Sequence, residues 1–240
     1  MASRVEGEAE SAGLVVSPQR LRERPLVAPP PVPHLPVPYG LQSGLVPLGS
    51  SALLARVRAV PYVAGIGILT HDSPPLGLTG RIVQLGWAVG DLSPELPVIK
   101  ERLVCPTGFQ VQAEAAAYHG ITHEQAEQEG LPLRAVLEEF MFDVVWLHSR
   151  GGRVAARNLR LVAGLVASEL VNADLQHLLE VWGAVGSDGC CVVDSDTKQI
   201  EDLASAALPG PRARRNRAGE QARVNVELVR FLVEHEARRS

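Results

Sequence analysis

The chain has 240 residues, 46% of them apolar, and its 23 Lys and Arg against 27 Asp and Glu give a formal net charge of -4. That length carries one domain with a tail or two small domains, and the mixed charge gives no global pull toward nucleic acid or membrane, so any polyanion site has to be local. Three cysteines, two of them adjacent at Cys190 and Cys191, make neither a disulfide framework nor paired C-x-x-C zinc spacing. Glu6, Glu8 and Glu10 without an apolar h-region argue against a signal or transit peptide, and no apolar run reaches the length of a membrane span. The expectation is a soluble protein of cytoplasm or nucleus with no membrane partner.

Residues 1–55 form the first region. RPLVAPPPVPHLPVPYG places proline at nearly alternate positions, which fixes φ and removes backbone donors, so this region is expected to be an extended, disordered proline-rich tail. Its P-x-x-P spacing suits a protein partner that reads polyproline II, while a plain solvated spacer explains the same composition.

Residues 56–240 read as one domain of alternating elements. VRAVPYVAGIGIL is a buried strand, and RIVQLGWAVGD a second in which Ile82, Gln84 and Gly86 alternate with Val83, Leu85 and Trp87. VIKERLVCP is a third, and the short connections predict an antiparallel meander. HGITHEQAEQEG gives a short helix, followed by a longer one with an apolar stripe of Leu133, Val136, Leu137, Phe140, Met141, Val144 and Val145. RVAARNL is a fourth strand, residues 161–182 one helix, and GCCVVDS a fifth strand, apolar on both faces and so expected to be central. A closing amphipathic helix starts at Glu220. The fold class is α/β, with a mixed five-stranded sheet flanked by helices.

His119 and His123 bracket a Gly-Ile-Thr. A zinc pair needs both histidines on one helical face, but Thr122 with Gln125 three residues on has the form of a capping box, so the helix begins between them. His119 is then a turn residue whose ring bonds or stacks near the sheet edge. Arg212, Arg214, Arg215 and Arg217 stand in a proline- and glycine-bounded loop suited to phosphates or to nuclear localisation, or simply solvated. Trp87, Tyr118, Trp146 and Trp182 are expected in the core.

GRIVQLGWAV, CPTGFQV, AAAYHGITHEQAEQEGLPLRAVLEEF and VAARNL ahead of a helix resemble, in this order, the 3'-5' exonuclease family of ribonuclease H-like fold, typified by the proofreading epsilon subunit of bacterial DNA polymerase and by ribonuclease T. The resemblance implies four carboxylates around two Mg²⁺ or Mn²⁺ ions and a histidine general base. It aligns Ile66 and Ile68 with the first Asp-x-Glu, Arg157 and Asn158 with His-Asn, Val162 with the third carboxylate, Glu220 with the histidine and Asn225 with the last aspartate. Every catalytic position is thus substituted, and hard cations need oxygen ligands that isoleucine and valine lack.

The expectation is therefore a degenerate exonuclease with no catalytic residue, no bound metal and no cofactor. It acts as a module for single-stranded DNA or RNA through Arg157, Asn158, Arg160, Arg212, Arg214, Arg215 and Arg217, or for a protein. The alternative is an active metal-dependent 3'-5' exonuclease built on noncanonical carboxylates, drawn from Asp72, Asp91, Asp194 and Asp196.

Overall fold

In the computed structural model the described residues are 62–72, 80–91, 93, 95–187, 190–191 and 217–237. The proline-rich region and Arg212, Arg214, Arg215, Asp194 and Asp196 lie outside them. β1 (Tyr62–Thr70), β2 (Ile82–Asp91) and β3 (Val98–Leu103) form the expected antiparallel meander, and β4 (Arg153–Ala156) lies parallel to β1 on its other side. The sheet is mixed, with the order β3-β2-β1-β4, and Cys190–Cys191 adds a two-residue parallel pairing to β4, here β5. β5 pairs with β4 alone among the described residues, so the expected central strand is β1 instead.

Six helices complete the described fold: α1 (Ala113–His119), α2 (His123–Glu129), α3 (Leu133–Ser149), α4 (Leu159–Asn172), α5 (Leu179–Ser187) and α6 (Ala218–Ala237). Thr122 caps α2 by accepting from the Gln125 N–H at 3.1 Å, whereas the Gln125 side chain turns forward to Glu129. The single helix expected over 161–182 is two, because Asp174 adopts the left-handed conformation (φ 57°) and a short 3-10 turn, Gln176–Leu178, intervenes. α1 was not foreseen: its Ala-rich turn lacks the apolar spacing that announces a helix.

β1 separates two layers. Ala64 and Ile66 belong to the large core cluster with Val136, Leu137 and Phe140 of α3 and Val162 and Val166 of α4. In α3, Leu147 is buried while Val145 is exposed, a rotation of the expected stripe toward the C-terminus. A β-bulge leaves Val83 without a partner on β1, since Leu69 faces Gln84 and Thr70 faces Ile82. Ile82 is thereby moved to the face of Leu85 and Trp87, against the simple alternation.

The opposite face carries α6. A methyl group at Gly65 would overlap the Ala222 carbonyl, and one at Gly67 or Gly86 would overlap the backbone of Ala218, so the helix backbone rests directly on the strands. Gln84 Oε1 accepts from the Ala218 N–H at 2.9 Å and Glu101 Oε2 from the Gly219 N–H at 2.7 Å, which satisfies two of the helix's unpaired amide donors. At the far end Arg230 donates twice to the Asp91 carbonyl, at 2.9 and 2.7 Å. Glu169 of α4, 1% exposed, ties the other layer to β2: it accepts from Arg81 Nε at 2.8 Å, the Ile82 N–H at 2.9 Å and Asn172 Nδ2 at 3.1 Å.

Candidate functional site

β1 and β4 run parallel, and open α/β sheets present ligands beyond the carboxyl ends of such strands. At that end Ile66 and Ile68 follow each other on one face of β1. Ile66 is 1% exposed and Ile68 half-buried against the same core. Asn225 of α6, 4% exposed, donates Nδ2–H to the Ile66 carbonyl at 2.9 Å, joining residues far apart in sequence. Val162 lies in the first turns of α4, in the core cluster that contains Ile66. Asn158 is the N-cap of α4 and accepts from the Leu161 N–H at 3.0 Å.

Glu220 does not join this group. It pairs with Arg223 at 2.9 Å and lines a 390 Å³ pocket with Ile99, Glu101, Arg217 and Gly219, on the β3 side of α6. Five residues of helix separate it from Asn225, about 140° around the axis, so the two point apart. The donor set does not fit a pair of divalent cations. Isoleucine and valine offer no ligand atom, and the Asn225 amide donates a hydrogen bond to the backbone. Among the described residues no group of three His, Cys, Asp or Glu side chains is placed to hold a metal ion.

Of the alternative acids, the two among the described residues are no better gathered. Asp72 follows the end of β1, whereas Asp91 faces Tyr62 at its beginning. A nine-residue strand separates them, about 30 Å at ~3.3 Å per residue, against roughly 4 Å between the ions of a two-metal site. Asp91 is occupied by Ser93, whose hydroxyl and N–H bonds hold its carboxyl below the ordinary range.

The basic residues divide between two places. Arg157 and Arg160 are exposed just beyond β4, at the candidate site. Arg217 is at the other side of the sheet, where it pairs with Glu101 of β3 at 2.7 Å. With β2 and β1 between, it shares no phosphate with Arg157.

His119 ends α1 and His123 opens α2, so no single helical face carries both. His119 Nδ1 accepts from the Ile121 N–H at 3.1 Å, which puts the ring proton on Nε2, 3.2 Å from the Thr70 carbonyl that accepts it. Burial holds this imidazole below its ordinary value, with the Thr70 bond opposing the shift. The ring is a neutral clip between α1, α2 and the end of β1.

Trp87 and Trp182 are buried as expected, but Tyr118 and Trp146 are exposed. Trp146 meets Tyr62 edge-on at a centroid distance of 5.2 Å. With Phe142 (73% exposed), Val98, Trp87 and the Lys100–Asp143 pair it lines a second pocket of 280 Å³, over the α3 face of β3. Sequence periodicity missed this site because Phe142 falls beside the apolar stripe of α3, where it looks like ordinary scatter, and because Trp146 reads as one more core aromatic.

The chain matches no protein-family model and no curated protein sequence. Among solved structures, the product-bound structure of exonuclease I superposes with a TM-score of 0.50 at 12% identity, over 75% of this chain and 45% of that one. The Escherichia coli exonuclease I complex with a dA16 oligonucleotide gives 0.54 at 12% identity over 73% and 42%, and the metal-free E. coli complex with single-stranded DNA 0.50 at 12% over 75% and 41%. The chain therefore spans less than half the length of these proteins and shares their fold, which is exonuclease-like.

Proposed function

We propose that this exonuclease-like domain binds single-stranded DNA or RNA without hydrolysing it, along the carboxyl end of β1 and β4. The observation that carries the reading is the Asn225 to Ile66 contact: where the resemblance sets acidic metal ligands there is a buried isoleucine and a neutral amide bonded to its carbonyl. A buried isoleucine contributes about 1.5–3 kcal/mol, whereas an unpaired carboxylate in its place costs several. Such a site is stable without a metal.

Binding rests on Arg157 and Arg160 at the exposed rim, with Arg212, Arg214 and Arg215 as further phosphate contacts. Asn158 is committed to capping α4 and positions the two arginines. The neighbouring exonuclease I structures that hold single-stranded DNA support the same class of ligand for this chain.

The test uses the whole protein and 5'-fluorescein-labelled single strands. The expected result is saturable anisotropy that weakens with salt, no trimming in Mn²⁺, and no effect of EDTA. The double variant Arg157→Ala, Arg160→Ala is expected to lower the salt slope by about 1.4, two contacts at ~0.7 each on a single strand. EDTA-sensitive trimming abolished by Asp194→Ala would establish the active-nuclease alternative instead, and absence of binding at low salt would remove the nucleic-acid role.

A further inference from the structure

β3 is an outer strand of the sheet, and the phase of its hydrogen bonding is fixed by its neighbours. The Val104 N–H donates to the Val83 carbonyl at 2.8 Å, toward β2. On the other edge the Leu103 carbonyl accepts from the Leu131 N–H at 2.9 Å, and the Cys105 N–H donates to the Leu131 carbonyl at 2.8 Å. Antiparallel pairing alternates inward and outward groups, so Ile99 and Glu101 also face outward. Leu131 covers only the last part of that edge. The Ile99 N–H and carbonyl and the Glu101 N–H make no hydrogen bond within the described residues, while Arg102 Nη1 reaches around to the Glu101 carbonyl at 2.9 Å.

The two pockets already described lie on opposite faces of this same strand. Val98 and Lys100 contribute to the pocket under Phe142 and Trp146, and Ile99 and Glu101 to the pocket beside α6. Side chains of a strand added to β3 fall alternately on these faces. The first pocket is dominated by Trp87, Val98, Phe142 and Trp146, and suits an apolar side chain. Among its described lining residues the second carries Glu101 and Glu220 against Arg217, which suits a cation.

We infer that the open edge of β3 takes up an extended segment of a partner protein, in which residues with apolar side chains alternate with lysine or arginine. Backbone bonds to Ile99 and Glu101 hold the segment, and the two pockets read its alternate side chains. This surface lies across the sheet from the Arg157 and Arg160 rim beyond β4.

The probe is the peptide acetyl-Ser-Lys-Val-Lys-Val-Lys-Ser-amide, titrated into the whole protein and followed by tryptophan fluorescence, since Trp146 borders the apolar pocket. Saturable binding is expected, weakened at least about tenfold when glutamate replaces lysine in the peptide, one tenfold step being ~1.4 kcal/mol. N-methylation of the peptide amides that face β3 is expected to abolish it, a control that leaves the protein untouched. Ile99→Pro removes one outward donor at an edge position where proline is tolerated, and is expected to abolish binding with the far-ultraviolet circular dichroism unchanged. Phe142→Ser is expected to weaken it. No saturable binding, or binding indifferent to N-methylation, overturns the inference. So does a concentration-dependent dimer in sedimentation that Ile99→Pro dissociates, because the occupant is then a second copy of this chain.

Discussion

Asn225→Asp changes one amide to a carboxyl of nearly the same shape, at the contact on which the proposed function rests. In the folded protein Asn225 Nδ2–H reaches the Ile66 carbonyl over 2.9 Å, and both residues are nearly inaccessible to water. The replacement removes the donor and sets an anionic oxygen against a carbonyl oxygen. An unpaired buried carbonyl costs about 1–3 kcal/mol, and a carboxyl whose folded pKa rises two units above its ordinary ~3.9 adds about 2.7 kcal/mol. These terms overlap, so a loss of about 3 kcal/mol at pH 7.5 is expected. Urea unfolding followed by circular dichroism measures it: with an m-value of about 2 kcal/mol/M the midpoint falls by about 1.5 M.

The pH dependence carries the stronger test. A raised folded pKa means that the native state keeps a proton the unfolded chain has released, so the stability of the variant falls as pH rises from about 4 toward that pKa. At pH 4 the protonated carboxyl donates to the Ile66 carbonyl again, and most of the loss is recovered. Mn²⁺ is expected to give no recovery at pH 7.5, because Ile66, Ile68 and Val162 supply no further ligand. A variant within about 0.5 kcal/mol of the parent at pH 7.5 would refute the reasoning, as would a loss that does not vary with pH.

Gly67→Ala presses a methyl group into the Ala218 backbone and is expected to cost about 3 kcal/mol in urea unfolding, whereas Gly183→Ala in α5, where a methyl meets nothing within 4 Å, is expected to gain up to ~1 kcal/mol. Glu169→Ala leaves the Arg81 guanidinium and the Ile82 N–H without their acceptor and is expected to cost about 3–5 kcal/mol by the same measurement. His119 has a folded pKa lowered by burial, so its contribution is complete above its unfolded value of about 6.5 and is lost as pH falls through the folded one. Chemical denaturation of the parent at pH 7.5 and 5.5 is expected to show that decline, and His119→Gln to flatten it.

The meander and the long helix were legible because each strand carries its own apolar run and α3 its own stripe, signals that need no partner. Thr122 announced the start of α2 for the same reason: an N-cap bonds within its own turn. The contact between Asn225 and Ile66 was accessible only through a resemblance, since 159 residues separate them. The function of Glu169 was not legible at all. A glutamate in an otherwise apolar helix reads as an irregularity until Arg81 and the Ile82 N–H are seen to face it. Phe142 and Trp146 were hidden differently: an exposed aromatic and a buried one look alike in a sequence, and only the position of β3 at the sheet's edge tells them apart.

The glycine floor beneath α6 bears on the order in which the chain assembles. β1 and β2 present Gly65, Gly67 and Gly86 to that helix, so most of what fills this face is a segment begun about 150 residues later. Contacts of such long sequence separation form late and slowly. During synthesis the meander and the α3–α4 layer are complete while Gly65, Gly67 and Gly86 still lack the helix that rests on them, and a nascent chain without residues 217–237 leaves that part of the face uncovered by α6. The last helix is therefore the clasp of the domain, and a protease or chaperone that meets the chain before α6 arrives meets a different surface from the one described here.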